Sequence, residues 1–228
     1  MKIAIRLLCL LLCLTLGASE PTPEDRGSHP SSDVEYWAGI FEAPSRKEWQ
    51  KPITVVTFLA IHDGSVVADL GAGTGYFTSL LAVQVGAAGK VYAVDIEQGM
   101  LDYIKSRDDM VQERVVPILA KENDPMLPNG EVDLVLTVNT WHHIKKRTRY
   151  LRRLEKSLTP EGRVAVIDFR VGELPVGPPP GDKVSHDDVI AEFEKAGWRY
   201  VAESVALPYQ YFLVFLPPKD SNRRLFGS

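Results

Sequence analysis

The chain has 228 residues, 45% of them hydrophobic and 25% charged. That is an ordinary globular composition, enough for one filled core and too short for a second full domain. A formal net charge of −4 argues against a nucleic-acid polyanion as the main partner.

Residues 1–19, MKIAIRLLCLLLCLTLGAS, carry Lys2 and Arg6, then an apolar run from Leu7 to Leu16, then small residues. Gly17 and Ser19 lie three and one residues before a cut after Ser19, the pattern of a secretory signal peptide. The run is shorter than the roughly 20 residues that span a bilayer, so cleavage is expected and no stable membrane span should remain. Leucines before Cys13 disfavour lipid attachment there. Both cysteines, Cys9 and Cys13, fall in this leader. The mature chain would therefore hold no disulfide, thiol nucleophile or cysteine metal site. Without Lys2 and Arg6, 24 basic residues stand against 30 acidic ones, and the net charge becomes −6.

Residues 20–33 are proline, serine and charge without periodicity, a flexible spacer. From Val34 to Ile61 apolar residues recur at helical spacing in two groups. One is Trp37, Ile40 and Phe41; the other is Trp49, Ile53, Val56 and Leu59, with Pro44 between them. Ser45 and Glu48 predict a capping box. Strand-like runs follow at Val66–Leu70, Val91–Asp95, Val115–Leu119, Val132–Val138 and Val164–Phe169. Helical patterns at Phe77–Val85, Met100–Arg107 and Thr148–Leu158 fill gaps between them. Short continuous apolar runs suit parallel strands buried on both faces, and the alternation predicts helices on both sides of the sheet.

Ser185 and Asp188 cap a helix that stops at Gly197. The last two strand-like segments, Arg199–Leu207 and Tyr211–Leu216, are joined by residues 208–210 alone. A parallel crossover needs a dozen or more residues, so the last strand should be antiparallel. The expected fold is α/β: a Rossmann-like, doubly wound, mostly parallel sheet with an antiparallel last strand. It should occupy residues 34–217, with a tail at 218–228.

The functional signal is VVADLGAGTGYFTSLLA, residues 66–82. Gly71 permits a tight reversal after the strand, and Gly73 lets a ligand approach the backbone. The helix that follows offers free N–H groups and a positive dipole end to an anion. The dinucleotide fingerprint G-x-G-x-x-G would need a glycine at position 76, which is Tyr76. Asp69, Gly71, Gly73 and Gly75 instead match the acid and G-x-G-x-G of the class I S-adenosylmethionine-dependent methyltransferases, which the chain resembles. The resemblance continues through VYAVDIE, ENDPMLP, VDLVLTVNTWHHI and LTPEGRVAVIDF, over about residues 45–216. It implies a seven-stranded sheet with one reversed strand, S-adenosylmethionine as cofactor, and transfer of a methyl group to an acceptor.

It also implies roles. The glycine turn, with Gly71, Ala72, Gly73 and Gly75, would lie under the methionine part of the cofactor, its amides and helix end meeting the carboxylate. Asp69 would orient the amino group. Asp95 would accept both ribose hydroxyls, a sensible use of two carboxylate oxygens, and Ile96 would pack on adenine. Asn123 and Asp124 are both candidates for the adenine amine.

Parallel sheets bind ligands at the carboxyl ends of their strands, so Asn139, Trp141, His142 and His143 would face the transferred methyl. A histidine there could deprotonate a hydroxyl or amine. The plainer alternative is that one of them packs beneath the next helix. No third ligand stands out for a metal. Asn139 is followed by Thr-Trp-His rather than Pro-Pro-Tyr, which speaks against a nucleic-acid base as acceptor. A small molecule is expected instead, selected by the N-terminal helices and by the proline-rich segment before His186.

A second reading, a noncatalytic S-adenosylmethionine-binding or interaction protein, is motivated by the leader, because it would carry the domain away from the cytosol. With a functional leader the protein is periplasmic or secreted; with a misassigned start it is cytoplasmic. N-terminal sequencing of the natively expressed protein checks this. A chain beginning at Glu20 is the expected result, and an intact leader would refute cleavage.

Overall fold

Apolar strands that alternate faces need a helical layer on each side, and that requirement sets the architecture. The computed structural model describes residues 33–219; the leader, nearly all of the spacer and the end of the tail lie outside them. Three short helices come first: α1 (Val34–Phe41), α2 (Arg46–Gln50) and α3 (Pro52–Leu59). Then follow β1 (Val66–Leu70), α4 (Tyr76–Gln84), β2 (Lys90–Asp95), α5 (Gln98–Ser106), β3 (Val115–Leu119) and β4 (Val132–Val138). The chain closes with α6 (Arg147–Ser157), β5 (Leu158–Phe169), α7 (His186–Lys195), β6 (Arg199–Glu203) and β7 (Gln210–Leu216).

The seven strands form one sheet in the order β3-β2-β1-β4-β5-β7-β6. Strand β7 runs antiparallel to both neighbours, β5 and β6, and every other pairing is parallel. The order reverses between β1 and β4, and the crevice at their carboxyl ends is where such sheets bind ligands. Among the described residues, no helix is long and apolar enough to cross a membrane.

Period-2 alternation divides the core in two. Val67, Val91, Leu134, Ala165 and Phe212 face α3, α4 and α5 through Val55, Leu59, Leu81 and Ile104. Ala68, Tyr92, Val135, Val166 and Leu213 face α6 and α7 through Leu151, Leu154, Val189 and Phe193. The second layer is aromatic at its centre: Phe193 stacks on Phe215 at 3.8 Å and lies 5.0 Å from Trp141 and 5.6 Å from Trp198.

Four expectations need correction. The N-terminal region is three helices rather than two, because Lys51 turns left-handed (φ 44) before Pro52, which has no N–H to continue a helix. The Ser45–Glu48 capping box does not form. Ser45 is already helical (φ −62, ψ −25), since Arg46 and Lys47 bond back to the carbonyls of Ala43 and Pro44. Strand β5 begins at Leu158, six residues early, where Leu158 pairs with Val132 ahead of a register shift. Strand β6 ends at Glu203, because Leu207 turns into the core and the carbonyl of Ala206 accepts from Lys51 Nζ. The cap of α7 is as expected, with Ser185 Oγ accepting from the Asp188 N–H at 3.1 Å.

Phe193→Ala should cost about 3–5 kcal/mol, because its three aromatic neighbours cannot all collapse into the space. Urea unfolding of the variant and the parent measures this; a loss under about 1 kcal/mol would mean that the layer repacks freely.

Candidate active site

The carboxyl ends of β1, β2, β4 and β5 bring the candidate residues to one edge. After β1 the chain reverses through glycines with positive φ: Gly71 (77°), Gly73 (52°) and Gly75 (88°). A Cβ on Gly71 would lie 2.1 Å from Thr140 Oγ1, so the turn sits directly against the segment leaving β4. A Cβ on Gly73 would come within 3.3 Å of the Phe41 ring, which places α1 over the turn.

Asp95 ends β2 and joins the turn: its Oδ2 accepts the Gly73 N–H at 2.8 Å, and its Oδ1 accepts the Glu97 N–H at 3.0 Å. Burial raises its pKa, and these backbone donors oppose the shift. Asp69, on β1, is buried with Oδ2 on the Thr78 hydroxyl at 2.6 Å, and desolvation pushes it up to about 6.

Above the turn, Arg46 of α2 lies 4.1 Å over the Tyr76 ring. Its guanidinium donates to the carbonyl of Phe41 and to Gln50 Oε1, and burial lowers its pKa to about 10. Arg46 Nε and the Tyr76 hydroxyl are buried without a hydrogen-bond partner among the described residues. Such orphans cost stability unless something else satisfies them.

Asn139, at the end of β4, has a left-handed backbone (φ 55). Its side chain closes a set of three amides: Gln210 Nε2 donates to Asn139 Oδ1, Asn139 Nδ2 to Gln50 Oε1 at 3.4 Å, and Gln50 Nε2 to Gln210 Oε1 at 2.7 Å. Three residues on, both carboxylate oxygens of Asp168 lie 2.9 Å from His142 Nδ1. His143 is against His142, with ring centres 4.0 Å apart, and desolvation lowers its pKa.

Comparison with known proteins shows what the chain is similar to. A family model described as a methyltransferase domain matches residues 68–166. A solved S-adenosylmethionine-dependent methyltransferase from Aquifex aeolicus superposes with a TM-score of 0.75 at 27% identity, covering 82% of this chain and 98% of that one. Residues 68–166 form a methyltransferase domain, and the chain is similar to class I S-adenosylmethionine-dependent methyltransferases.

Among curated relatives, the ubiquinone/menaquinone biosynthesis C-methyltransferase UbiE of Cupriavidus pinatubonensis is 29% identical, over 68% of this chain and 66% of that protein. The protein of the same name from Hydrogenovibrio crunogenus is 26% identical, over 64% and 61%. The chain thus spans less than two thirds of the length of these relatives.

The methyltransferase edge fits S-adenosylmethionine, the family's cofactor. Asp95 keeps lone pairs beyond its two backbone donors, and Ile96 beside it is 56% exposed, an apolar surface open to a base. Arg46 Nε and the Tyr76 hydroxyl, buried without a partner among the described residues, are donors that could meet a carboxylate.

The structure revises the reading of the glycine turn. The N–H groups of Gly71 and Ala72 go to the carbonyl of Val94, that of Gly73 to Asp95, and that of Gly75 to the carbonyl of Ala72. Four turn amides are spent internally, which leaves the anion to Arg46, Tyr76 and the start of α4. Asn123 and Asp124 are also separated. The Asp124 carboxylate is engaged by the Met126 N–H at 3.0 Å and by Arg153 at 3.3 Å, and its own N–H goes to the Lys121 carbonyl. Asn123 has no side-chain hydrogen bond among the described residues, so it keeps a free amide. Trp141 does not face the site. It is fully buried against Phe193, and its Nε1 donates to Glu192 at 3.3 Å.

Arg46, Gln50, Tyr76, Asp168 and Gln210 were not singled out from the sequence as site residues. For Asp168, Gln50 and Gln210 a signal existed: each is a polar residue inside or beside an apolar run.

Because burial raises Asp69 above its ordinary 3.8 to about 6, its contribution to stability is full below about pH 4 and is lost as pH rises through about 6. The melting temperature of Asp69→Asn should therefore gain on that of the parent between those pH values. A constant difference across the window would show that the Thr78 hydroxyl compensates burial fully.

Proposed function

We propose that the protein transfers a methyl group from S-adenosylmethionine to a small-molecule acceptor. The observation that carries this reading is one sheet edge holding the glycine turn, Asp95 and the Asn139–His143 segment, with Thr140 against Gly71. When bound, the cofactor supplies a methyl group already activated on a sulfonium, so the protein's tasks are alignment and exclusion of water. Asp95 would hold the ribose hydroxyls, Asn123 and Ile96 the adenine, and Arg46 with Tyr76 the carboxylate. Phe41 and the amides of Gln50, Asn139 and Gln210 close the edge from the N-terminal side. The names of the curated relatives support a small-molecule acceptor, and the leader supports a periplasmic or secreted location.

The test joins binding to turnover. Calorimetric titration of residues 20–228 with S-adenosylhomocysteine should show one site, and NAD should not bind. Asp95→Asn should weaken binding by roughly 10- to 100-fold, the loss of charge-assisted hydrogen bonds. Incubation with methyl-labelled cofactor and a panel of acceptors should then yield labelled product. Binding without turnover on any acceptor would favour a noncatalytic cofactor-binding protein, and no binding would overturn both readings.

A further inference from the structure

The outer face of α6 carries charge that the fold does not use. Residues 145–156 hold seven cations against one acid, a net +6, while the remainder of the chain sums to −10. Tyr150, Leu151, Leu154 and Ser157 turn inward and are buried, which leaves the cations outside. Arg147 is paired with Glu192, and Arg153 with Asp124. Lys145, Lys146, Arg149, Arg152 and Lys156 are exposed, and none of their side chains has a hydrogen bond or ion pair among the described residues.

Two features separate this row from an ordinary solvated face. Such faces mix signs, with opposite charges three or four residues apart. Arg149 instead has a cation at all four of those positions: Lys145, Lys146, Arg152 and Arg153. The amino end of a helix also favours acids and disfavours cations. The first turn of α6 holds no acid, and Lys145, Lys146, Arg147 and Arg149 crowd it. Both arrangements act against the helix, and a local rule broken without gain to the fold marks a functional surface.

The shape of the row narrows the partner. From Lys145 to Lys156 it follows the helix axis for about 16 Å, longer than a small anion engages. Its exposed residues include no aromatic ring to stack a base. They also include no apolar anchor of the kind that protein partners bury at the centre of an interface. An anionic bilayer needs neither, because its surface attracts each nearby Lys or Arg separately. Beside the row, Met126 stands 45% exposed, with its N–H on the Asp124 carboxylate that Arg153 pairs. That is an apolar tip of the kind that enters a lipid interface.

We propose that the outer face of α6, through Lys145, Lys146, Arg149, Arg152 and Lys156, docks the protein on a bilayer surface that contains anionic phospholipid. The proposal does not depend on the methyltransferase reading. Contact is peripheral, with the cations among the headgroups and no segment crossing. The row starts two residues after His143, so the docked face adjoins the crevice at the carboxyl ends of the strands.

The test is sedimentation of residues 20–228, which contain every described residue. One set of vesicles is phosphatidylcholine alone, and the other is phosphatidylcholine and phosphatidylglycerol in equal parts. The protein should sediment with the anionic vesicles only, and less so as salt is added. Each cation contributes about fivefold to such binding, so Arg149→Gln with Arg152→Gln should weaken it about 25-fold. Lys47→Gln with Lys105→Gln removes the same charge from α2 and α5 and should leave binding nearly unchanged. A loss of equal size in both double variants would overturn the assignment to α6.

Melting temperature separates docking from a role in the fold. Neutralising Arg149 and Arg152 relieves repulsion, so that variant should melt no lower than the parent. A marked fall would mean that the row serves the fold, and the proposal would be lost. Equal binding to both kinds of vesicle, or binding to neither, would also overturn it. So would capture of polyglutamate or single-stranded RNA by a protein that ignores anionic vesicles.

Discussion

The hydrogen bond from the Gly73 N–H to Asp95 is the contact on which the functional edge depends. It joins the turn after β1 to the end of β2, so the part expected under methionine and the part expected under ribose are set by one bond. The geometry follows from backbone freedom. Three glycines at positive φ allow a reversal tight enough for Gly71 and Ala72 to share the Val94 carbonyl, and an L side chain would be strained at each of them. The carboxylate is partly desolvated as a result. Two backbone donors oppose the burial, which favours the neutral acid and raises its pKa.

A second constraint comes from the N-terminal segment, which is distant in sequence and close in space. Arg46 on Tyr76, Phe41 over Gly73, and Gln50 bonded to Gln210 and Asn139 bind α1–α3 to the turn, to β7 and to the end of β4. The Gln50 and Gln210 amides are buried, that of Asn139 is half-buried, and the three satisfy one another, so removing one partner would leave others unpaired at about 1–3 kcal/mol each. The same segment holds Arg46, whose Nε lies buried without a hydrogen-bond partner among the described residues, as does the Tyr76 hydroxyl of α4 beneath it. On the other side of the crevice, Asp168 does for the β4–β5 edge what Asp95 does for β1–β2. A carboxylate at a strand end collects backbone N–H groups and holds a neighbouring element in a fixed orientation.

Much of the fold was legible in the sequence because it is local. Apolar runs of strand length, glycine after the first strand, and a link too short for a crossover follow from neighbouring residues alone, and they place the sheet, its reversed strand and the cofactor turn. The glycine turn was readable for the same reason: its residues are contiguous and its shape is set by backbone geometry. The misreadings are where a nearby residue overrode the pattern. Lys51 and Pro52 broke one helix into two, and the Ala43 and Pro44 carbonyls started α2 before Ser45 could cap it.

What the tertiary structure alone decided is which polar groups remain available. From residue types, turn amides, Asp124 and Trp141 were all reasonable ligands, and both histidines were equal candidates. Folding spent four amides inside the turn, gave Asp124 to Arg153 and the Met126 N–H, buried Trp141 beneath α7, and set Asp168 on one histidine but not the other. It also brought Arg46 and Gln50 to the site across a long stretch of chain. A donor or acceptor engages a partner within about 3 Å, and sequence spacing carries no information about partners that meet only when distant strands and helices pack.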